Sequence, residues 1–160
     1  MTLYHGGTDI IQKPLIRPQV LGRDFGRGFY CTDIRDQAEK WARRQGRIRN
    51  QTAILNTYEF DIAQAQDSLN IKLFNDYSLE WLELVVKSRK LPDFAHGYDI
   101  IFGKIANDDV GETIQAVFDG LMPMDFALER LVFMTANNQY CFCTEKALDL
   151  IIYLGTEILE

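Results

Sequence analysis

Two glycine-containing segments near the start of the chain constrain its fold most. The first, Leu3 to Gly7 (Leu-Tyr-His-Gly-Gly), predicts a short strand that ends in a glycine pair. The second, Asp24 to Asp33 (Asp-Phe-Gly-Arg-Gly-Phe-Tyr-Cys-Thr-Asp), predicts a kinked strand that leads into a helix. Because glycine has no Cβ, such segments can bring bare backbone groups against a flat ligand. We therefore expect a binding site between them, with the ring of Tyr30 beside the glycines.

Length and composition favour one domain covering residues 1–160. The chain has 160 residues, 47% of them hydrophobic, which is enough for one well-filled core and too few for two comfortable domains. Its apolar runs fall short of the roughly 20 residues of a membrane helix, and Met1 to Leu3 lack the basic start of a signal peptide. We expect a cytoplasmic protein without a membrane partner.

The charges are distributed unevenly along the chain. Residues 1–50 contain ten of the 17 Lys and Arg and five of the 23 Asp and Glu, a net charge of +5, whereas the remainder carries −11. The basic portion coincides with the two glycine segments. A cationic mouth suits a pyrophosphate or a nucleic-acid backbone, but the acidic remainder argues against an extended nucleic-acid surface. An ordinary solvated basic helix face explains the pattern equally well.

The three cysteines predict no metal site. Cys31, Cys141 and Cys143 are odd in number and lack C-x-x-C spacing, and the chain has only His5 and His96 as imidazole ligands. We expect reduced thiols buried in the core.

The predicted elements mix helices and strands irregularly. No G-x-G-x-x-G fingerprint is present, which disfavours a dinucleotide-binding parallel sheet and favours a mixed α+β class. Asp33 is expected to cap the first helix, whose buried stripe includes Ala38 and Trp41, and Trp81 is expected in the core. The expected strands cover 51–62, 69–73, 98–103, 139–144 and 151–154, and the expected helices cover 33–47, 110–121 and 123–134, with a polar turn at 64–67 and a short helix after Thr144. A further helix is expected to begin at Asn75, Asp76 or Ser78 and to end near Lys90.

The two glycine segments resemble the first two motifs of the ADP-ribosyltransferase superfamily, in the branch of poly(ADP-ribose) polymerases and diphtheria toxin. The best match to the third motif, a late strand that bears Glu, is Asn138 to Phe142 (Asn-Gln-Tyr-Cys-Phe), which has Gln139 at that position. Nearly the whole chain resembles a bacterial group of uncharacterised domains placed in this superfamily. The resemblance implies a split two-sheet fold with an NAD cleft between the sheets.

The resemblance also implies roles for the motif residues. His5 and Gly6 would hold the ribose and the nicotinamide amide of NAD, and Tyr30 would stack on the nicotinamide ring. Gln139 would stand beside the ribose, where positive charge develops as the glycosidic bond breaks. Glutamine can accept a hydrogen bond there, but it carries no charge and cannot act as a general base. Asp108 and Glu145 are the candidates for a replacement carboxylate, although each is also suited to stabilising a helix N-terminus.

Further residues could bind the rest of the ligand. Arg17, Arg23 and Arg27 flank the glycines of the second segment, and guanidinium groups pair well with phosphate oxygens. Asn107 and Asp108 occupy a turn after a predicted strand, where they could hold a ribose hydroxyl or simply cap the next helix.

The leading hypothesis is an enzyme that transfers ADP-ribose from NAD to a macromolecular acceptor, as a bacterial toxin or defence effector restrained by an antitoxin or other inhibitory partner. A second hypothesis keeps an NAD or nucleotide pocket without catalysis, as a sensor or partner-binding module, and Gln139 favours it. A third is an RNA-repair transferase that uses NAD to remove a terminal phosphate. That family relies on several arginines and histidines, and this chain has two histidines.

Overall fold

Two β-sheets form the centre of the fold in a computed structural model, which describes residues 1–16, 21–106, 108–131 and 137–160. Within these residues there are seven strands and six helices. The strands are β1 (Thr2–Gly7), β2 (Phe29–Cys31), β3 (Ala53–Phe60), β4 (Ile71–Leu73), β5 (Ile100–Gly103), β6 (Gln139–Phe142) and β7 (Ile151–Leu159). The helices are α1 (Arg35–Arg49), α2 (Ile62–Gln66), α3 (Leu79–Lys90), α4 (Asp108–Phe118), α5 (Met124–Leu131) and α6 (Glu145–Leu148).

The strand order confirms the mixed α+β class and a single domain. The first sheet has the order β1-β3-β7 and is antiparallel throughout. The second sheet has the order β2-β6-β5-β4, in which β4 and β5 are parallel and the other pairs are antiparallel. Strands distant in sequence are therefore neighbours, and this arrangement brings the early motifs next to β6.

Alternation along the strands divides the buried side chains between two cores. One core fills the space between the sheets, with Leu3 and Tyr58 from the first sheet against Tyr140 and Phe142 from the second. The other core lies between the second sheet and the helices α3, α4 and α5, and Cys141 faces into it. The predicted opposition of Cys141 to Tyr140 and Phe142 on β6 is thus confirmed.

Helix α1 packs against β1 and β3 through small residues. Its buried positions are Ala38, Ala42 and Gly46, which let the helix approach the sheet closely. Gly6 lies under the helix, and a Cβ added there would stand 2.1 Å from the backbone oxygen of Ala38. The glycine of the first motif is therefore required by helix packing, in addition to any ligand.

Two predictions about α1 were wrong. Its N-cap residue is Ile34, and the carboxylate of Asp33 instead accepts a hydrogen bond from Asn138 Nδ2 at 2.6 Å. Trp41 is 50% exposed rather than buried. The small residues on the same helix already fill the contact with the sheet, which leaves no room for an indole.

The middle of the chain follows the prediction more closely. The polar turn expected at residues 64–67 is wrong, because residues 64–66 form the second half of the short helix α2, whose first N–H groups bond to the carboxylate of Asp61. Ser78 caps α3 by accepting from the Trp81 N–H at 3.1 Å, and Trp81 is fully buried. None of the described helices combines the length and apolar character that crossing a lipid bilayer requires.

The Gly6 contact gives a stability prediction. We expect Gly6→Ala to lower the free energy of unfolding by about 2 kcal/mol, because the new methyl group collides with backbone rather than with a movable side chain. For a domain of this size the melting temperature should fall by roughly 4–8 °C in a thermal unfolding experiment. Gly7→Ala is the matched control, since its Cβ would lie 3.5 Å from His5 Nε2, an ordinary contact. Equal melting temperatures for the two variants would contradict this packing.

Candidate functional site

Among the described residues, one backbone bridge joins the two sheets at their edges, and beyond it β1 and β2 separate to form a fork. Tyr4 and Thr32 exchange backbone hydrogen bonds of 2.8 and 2.9 Å, and this bridge joins β1 to the chain just after β2. Beyond Tyr4, β1 diverges from β2 and a cavity of about 770 Å³ opens between the two strands and α1, within the range typical of small-ligand sites. We call this cavity the cleft. The predicted site residues that line it are His5, Gly6, Arg23, Tyr30 and Gln139.

His5 is held at the base of the fork. Its Nδ1 lies 2.7 Å from the backbone oxygen of Tyr30, and its ring stacks on Phe29 with centroids 4.6 Å apart. A carbonyl oxygen only accepts, so Nδ1 carries the proton of this bond. In the neutral imidazole Nε2 is then an acceptor. The side chain therefore links β1 to β2 and has a fixed orientation in the cleft.

The backbone of Gly6 points into the fork. In an antiparallel strand, successive residues direct their N–H and C=O groups to opposite edges. Tyr4 uses its pair toward Thr32, so Gly6, two residues later, directs its pair to the same edge, where β2 has already diverged. One backbone donor and one backbone acceptor thus lie side by side at the wall of the cleft.

Tyr30 presents a rigid ring in the cleft. Its hydroxyl donates to the backbone oxygen of Gly26 at 2.7 Å and accepts from the Phe25 N–H at 3.2 Å. Burial raises the pKa of this phenol well above its usual value, so it stays neutral. The guanidinium of Arg23 lies over the ring, 5.4 Å from its centroid. Because Arg23 is exposed, it can move from this position without disturbing the core.

Gln139 contacts a buried carboxylate that the sequence analysis missed. Its Nε2 donates to Asp24 Oδ2 at 2.6 Å and to the backbone oxygen of Lys104 at 3.3 Å. Because both partners are acceptors, the amide is oriented with its nitrogen toward them. Its oxygen, Oε1, remains as an acceptor for another group. Asp24 is 5% exposed and Gln139 is 8% exposed.

Asp24 is held by a network from three parts of the chain. Arg89 on α3 bonds to its Oδ1 through Nε at 2.8 Å and through Nη2 at 2.6 Å. The backbone N–H of Ala106 donates to Oδ2 at 2.8 Å. Arg89 also donates to the backbone oxygen of Ala106 at 2.8 Å. The carboxylate is therefore paired and fully hydrogen-bonded, as a buried charge requires.

Other predicted residues lie elsewhere. Arg27 is exposed, does not line the cleft, and donates to the backbone oxygen of Ile16 at 3.5 Å. Glu145 is exposed on α6 and lines a separate small cavity, so it cannot replace a carboxylate in the cleft. Arg17 and Asn107 fall outside the described residues. Asp108 begins α4, and its side chain is also outside the description.

The outer wall of the cleft is formed by α1. Trp41 lines it with half of its surface exposed, and the guanidinium of Arg44 lies over the indole at 5.8 Å. Among the described residues that line the cleft, cations outnumber carboxylates: Arg23, Lys40, Arg44, Arg49 and Arg89 against Asp9 and Asp24. Such a surface favours an anionic ligand.

These features define a class: a mixed α+β domain whose two sheets open around a polar, cationic cleft. The chain belongs to the family described as protein of unknown function (DUF3990), whose family model matches residues 1–153. No curated protein and no solved structure matches the chain. The matched range includes both glycine segments and β6, so the cleft lies within the part of the chain that defines the family.

The Asp24 network gives a second prediction. We expect Asp24→Asn to lower the free energy of unfolding by about 3 kcal/mol, because removing one partner leaves Arg89 with an uncompensated, largely buried charge. The melting temperature should fall by roughly 6–12 °C. Glu83→Gln is the control, since Glu83 forms an exposed pair with Lys87 that is worth at most about 1 kcal/mol. If Asp24→Asn were no more destabilising than Glu83→Gln, the Asp24 network would not contribute to the stability of the fold as proposed.

Proposed function

We propose that this protein is an NAD-dependent ADP-ribosyltransferase that breaks the bond between nicotinamide and ribose and passes ADP-ribose to a macromolecular acceptor. One observation carries the proposal. His5, Tyr30 and Gln139, from three strands that are distant in sequence, line a single cleft, and the amide of Gln139 is bonded to a buried carboxylate. The motif resemblance assigns the same three residues to NAD.

The backbone of Gly6 and the ring of Tyr30 suit the nicotinamide group. A carboxamide has a donor and an acceptor side by side, which complement the N–H and C=O of Gly6. An aromatic ring fixed through its hydroxyl offers a flat face for stacking. Arg23 leaves that face when a ring stacks there, and its guanidinium then becomes available to the pyrophosphate. The surplus of cations along the cleft favours the same anionic group.

His5 suits the nicotinamide ribose. Its bond to the backbone oxygen of Tyr30 holds the imidazole in the tautomer with Nε2 as an acceptor. A ribose hydroxyl is a donor and can bond to such a nitrogen. His5 is therefore a binding and orienting residue in this proposal, and it moves no proton.

Gln139 and Asp24 together act on the positive charge of the transition state. As the glycosidic bond breaks, the ribose becomes oxocarbenium-like, and a partial negative charge beside it lowers the barrier. The short bond from Nε2 to Asp24 polarises the amide and makes Oε1 a stronger acceptor for a ribose hydroxyl. Arg89 neutralises the charge of Asp24 at longer range, so the carboxylate acts through the amide.

The acceptor must supply its own nucleophile. Gln139 cannot remove a proton, and the Asp24 carboxylate is already bonded to Arg89, Ala106 and Gln139. Attack on the ribose therefore requires an acceptor group that is already nucleophilic or easily deprotonated. Protein side chains and nucleic-acid bases both include such groups, and the proposal covers both classes.

A second candidate keeps the same cleft as a binding module for NAD or another nucleotide, without catalysis. The neutral amide at position 139 favours it, because a ligand can be held there without a general base. NAD would then stabilise the fold by about 2.7 kcal/mol at 100 times its dissociation constant without being consumed.

The third prediction separates these candidates through nicotinamide release from NAD, measured with the purified protein alone and with cell extract as a source of acceptor. We expect release that increases with extract. Gln139→Ala should lower kcat on the order of 10²-fold, because it removes an interaction that strengthens in the transition state. Tyr30→Ala should mainly raise KM, by about 10-fold, because it removes the stacking surface.

Gln64→Ala, an exposed change on α2, is the matched control and should leave release unchanged. If NAD stabilised the protein against heat but no sample released nicotinamide, the enzyme would be ruled out in favour of the binding module. If NAD were neither cleaved nor able to stabilise the protein, the enzyme and the NAD-binding module would both be excluded.

A further inference from the structure

A pair of cysteines lies behind the cleft and has no role in the proposed reaction. Cys141 on β6 and Cys143 just after it are two residues apart and face the same side, with their Sγ atoms 3.4 Å apart. Cys141 is fully buried, whereas Cys143 is half-buried where the chain leaves the sheet. The two sulfurs are therefore in contact, and the pair is open to a small reagent on the Cys143 side.

The surroundings make the two thiols chemically different. A hydrogen bond with Cys141 and a second with His96 lower the pKa of Cys143 to about 6, despite its burial and the nearby carboxylate of Asp99. Burial raises the pKa of Cys141 well above its usual value. His96 is itself held in place, with Nε2 3.1 Å from the backbone oxygen of Phe25 and Nδ1 accepting from the Tyr98 N–H. A thiolate next to a thiol is the arrangement that dithiol oxidation needs.

We propose that Cys141 and Cys143 form a peroxide-sensitive dithiol that closes to an intramolecular disulfide. The Cys143 thiolate attacks one oxygen of a hydroperoxide, the O–O bond breaks, and the leaving oxygen takes a proton to give water or an alcohol. Cys143 is then a sulfenic acid. The Cys141 thiol attacks its sulfur, the S–O bond breaks, and the departing hydroxide takes the Cys141 proton as water. Two thiols are oxidised and one peroxide is reduced.

Formation of this disulfide would change the packing behind Tyr30, which lines the cleft. A disulfide requires the sulfurs at about 2.05 Å, so the Cys141 sulfur must move toward Cys143. In the reduced protein Tyr30 packs against the core cluster that contains Cys141, and Cys141 is the direct partner of Tyr30 in the β2–β6 pairing. It also packs so closely that a Cβ on Gly28 would lie 2.4 Å away. Oxidation therefore alters the support behind the Tyr30 ring.

The fourth prediction uses Cys31 as an internal control. Burial raises the pKa of the Cys31 thiol well above its usual value, and its side chain belongs to the core between the sheets. The reduced chain would be treated with equimolar hydrogen peroxide at neutral pH, unfolded, alkylated with iodoacetamide and mapped by mass spectrometry. We expect two of the three alkylatable thiols to be lost, with a Cys141–Cys143 disulfide, and Cys31 to be retained. Dithiothreitol should restore all three.

Two variants give an additional test of which thiols react, although the mapping of the unaltered chain does not require them. Cys31→Ser should still lose both remaining thiols, whereas Cys143→Ser should keep both of its thiols. Because the mapping is done on the unaltered chain, it remains decisive if a variant fails to fold. Retention of all three thiols, loss of Cys31, or oxidation of Cys143 to sulfinic acid without a disulfide would each overturn the proposal. None of these outcomes depends on whether the protein consumes NAD.

Discussion

The shape of the cleft depends on the hydrogen bonds that the buried carboxylate of Asp24 accepts. Asp24 lies in the loop before β2, and its partners come from α3, from the segment after β5 and from β6. A buried charge with four hydrogen bonds is costly to disturb, since each partner would lose a compensating group. The loop that carries Arg23, the glycines and Tyr30 is therefore fixed against the second sheet. The orientation of Gln139 follows from the same contact.

The fork itself arises from ordinary sheet geometry. One bridge between Tyr4 and Thr32 joins the sheets, and the helix α1 packs over Gly6 so closely that only glycine fits. Divergence of β1 from β2 then exposes the backbone edge of Gly6, while the bond from His5 to the Tyr30 oxygen spans the gap. The glycine that helix packing requires thus also lies at the exposed strand edge that the proposal assigns to the ligand. The packing of α1 and the proposed contact with a ligand can therefore both favour glycine at position 6.

Much of the fold could be predicted from the sequence because its elements have strong local patterns. The alternation of β6 and a helix start among Asn75, Asp76 and Ser78 depend on neighbours in sequence, and Trp81 is buried as large aromatic residues usually are. Trp41 was misplaced because a helical stripe does not reveal which of its members contacts the sheet. The cap at Asp33 was wrong because Asn138, more than 100 residues away, takes that carboxylate.

The candidate site was only partly predictable for the same reason. His5, Gly6, Tyr30 and Gln139 belong to motifs that can be read locally. Asp24 does not, since its partners are Arg89, Ala106 and Gln139, between 65 and 115 residues further along the chain. A single acidic residue between Arg23 and the glycines was the available signal. It became meaningful only when the folded chain placed the carboxylate against the Gln139 amide.

The proposed function requires that NAD occupies the fork between β1 and β2. An amide-detected NMR titration of the protein with NAD tests it most directly, because it reports binding residue by residue whether or not the ligand reacts. We expect the largest shift changes at the backbone amides of Gly6 and Tyr30 and at the side-chain amide of Gln139, with little change around Glu145 on α6. Absence of any change at saturating NAD, or changes confined to the region around Glu145, would contradict it.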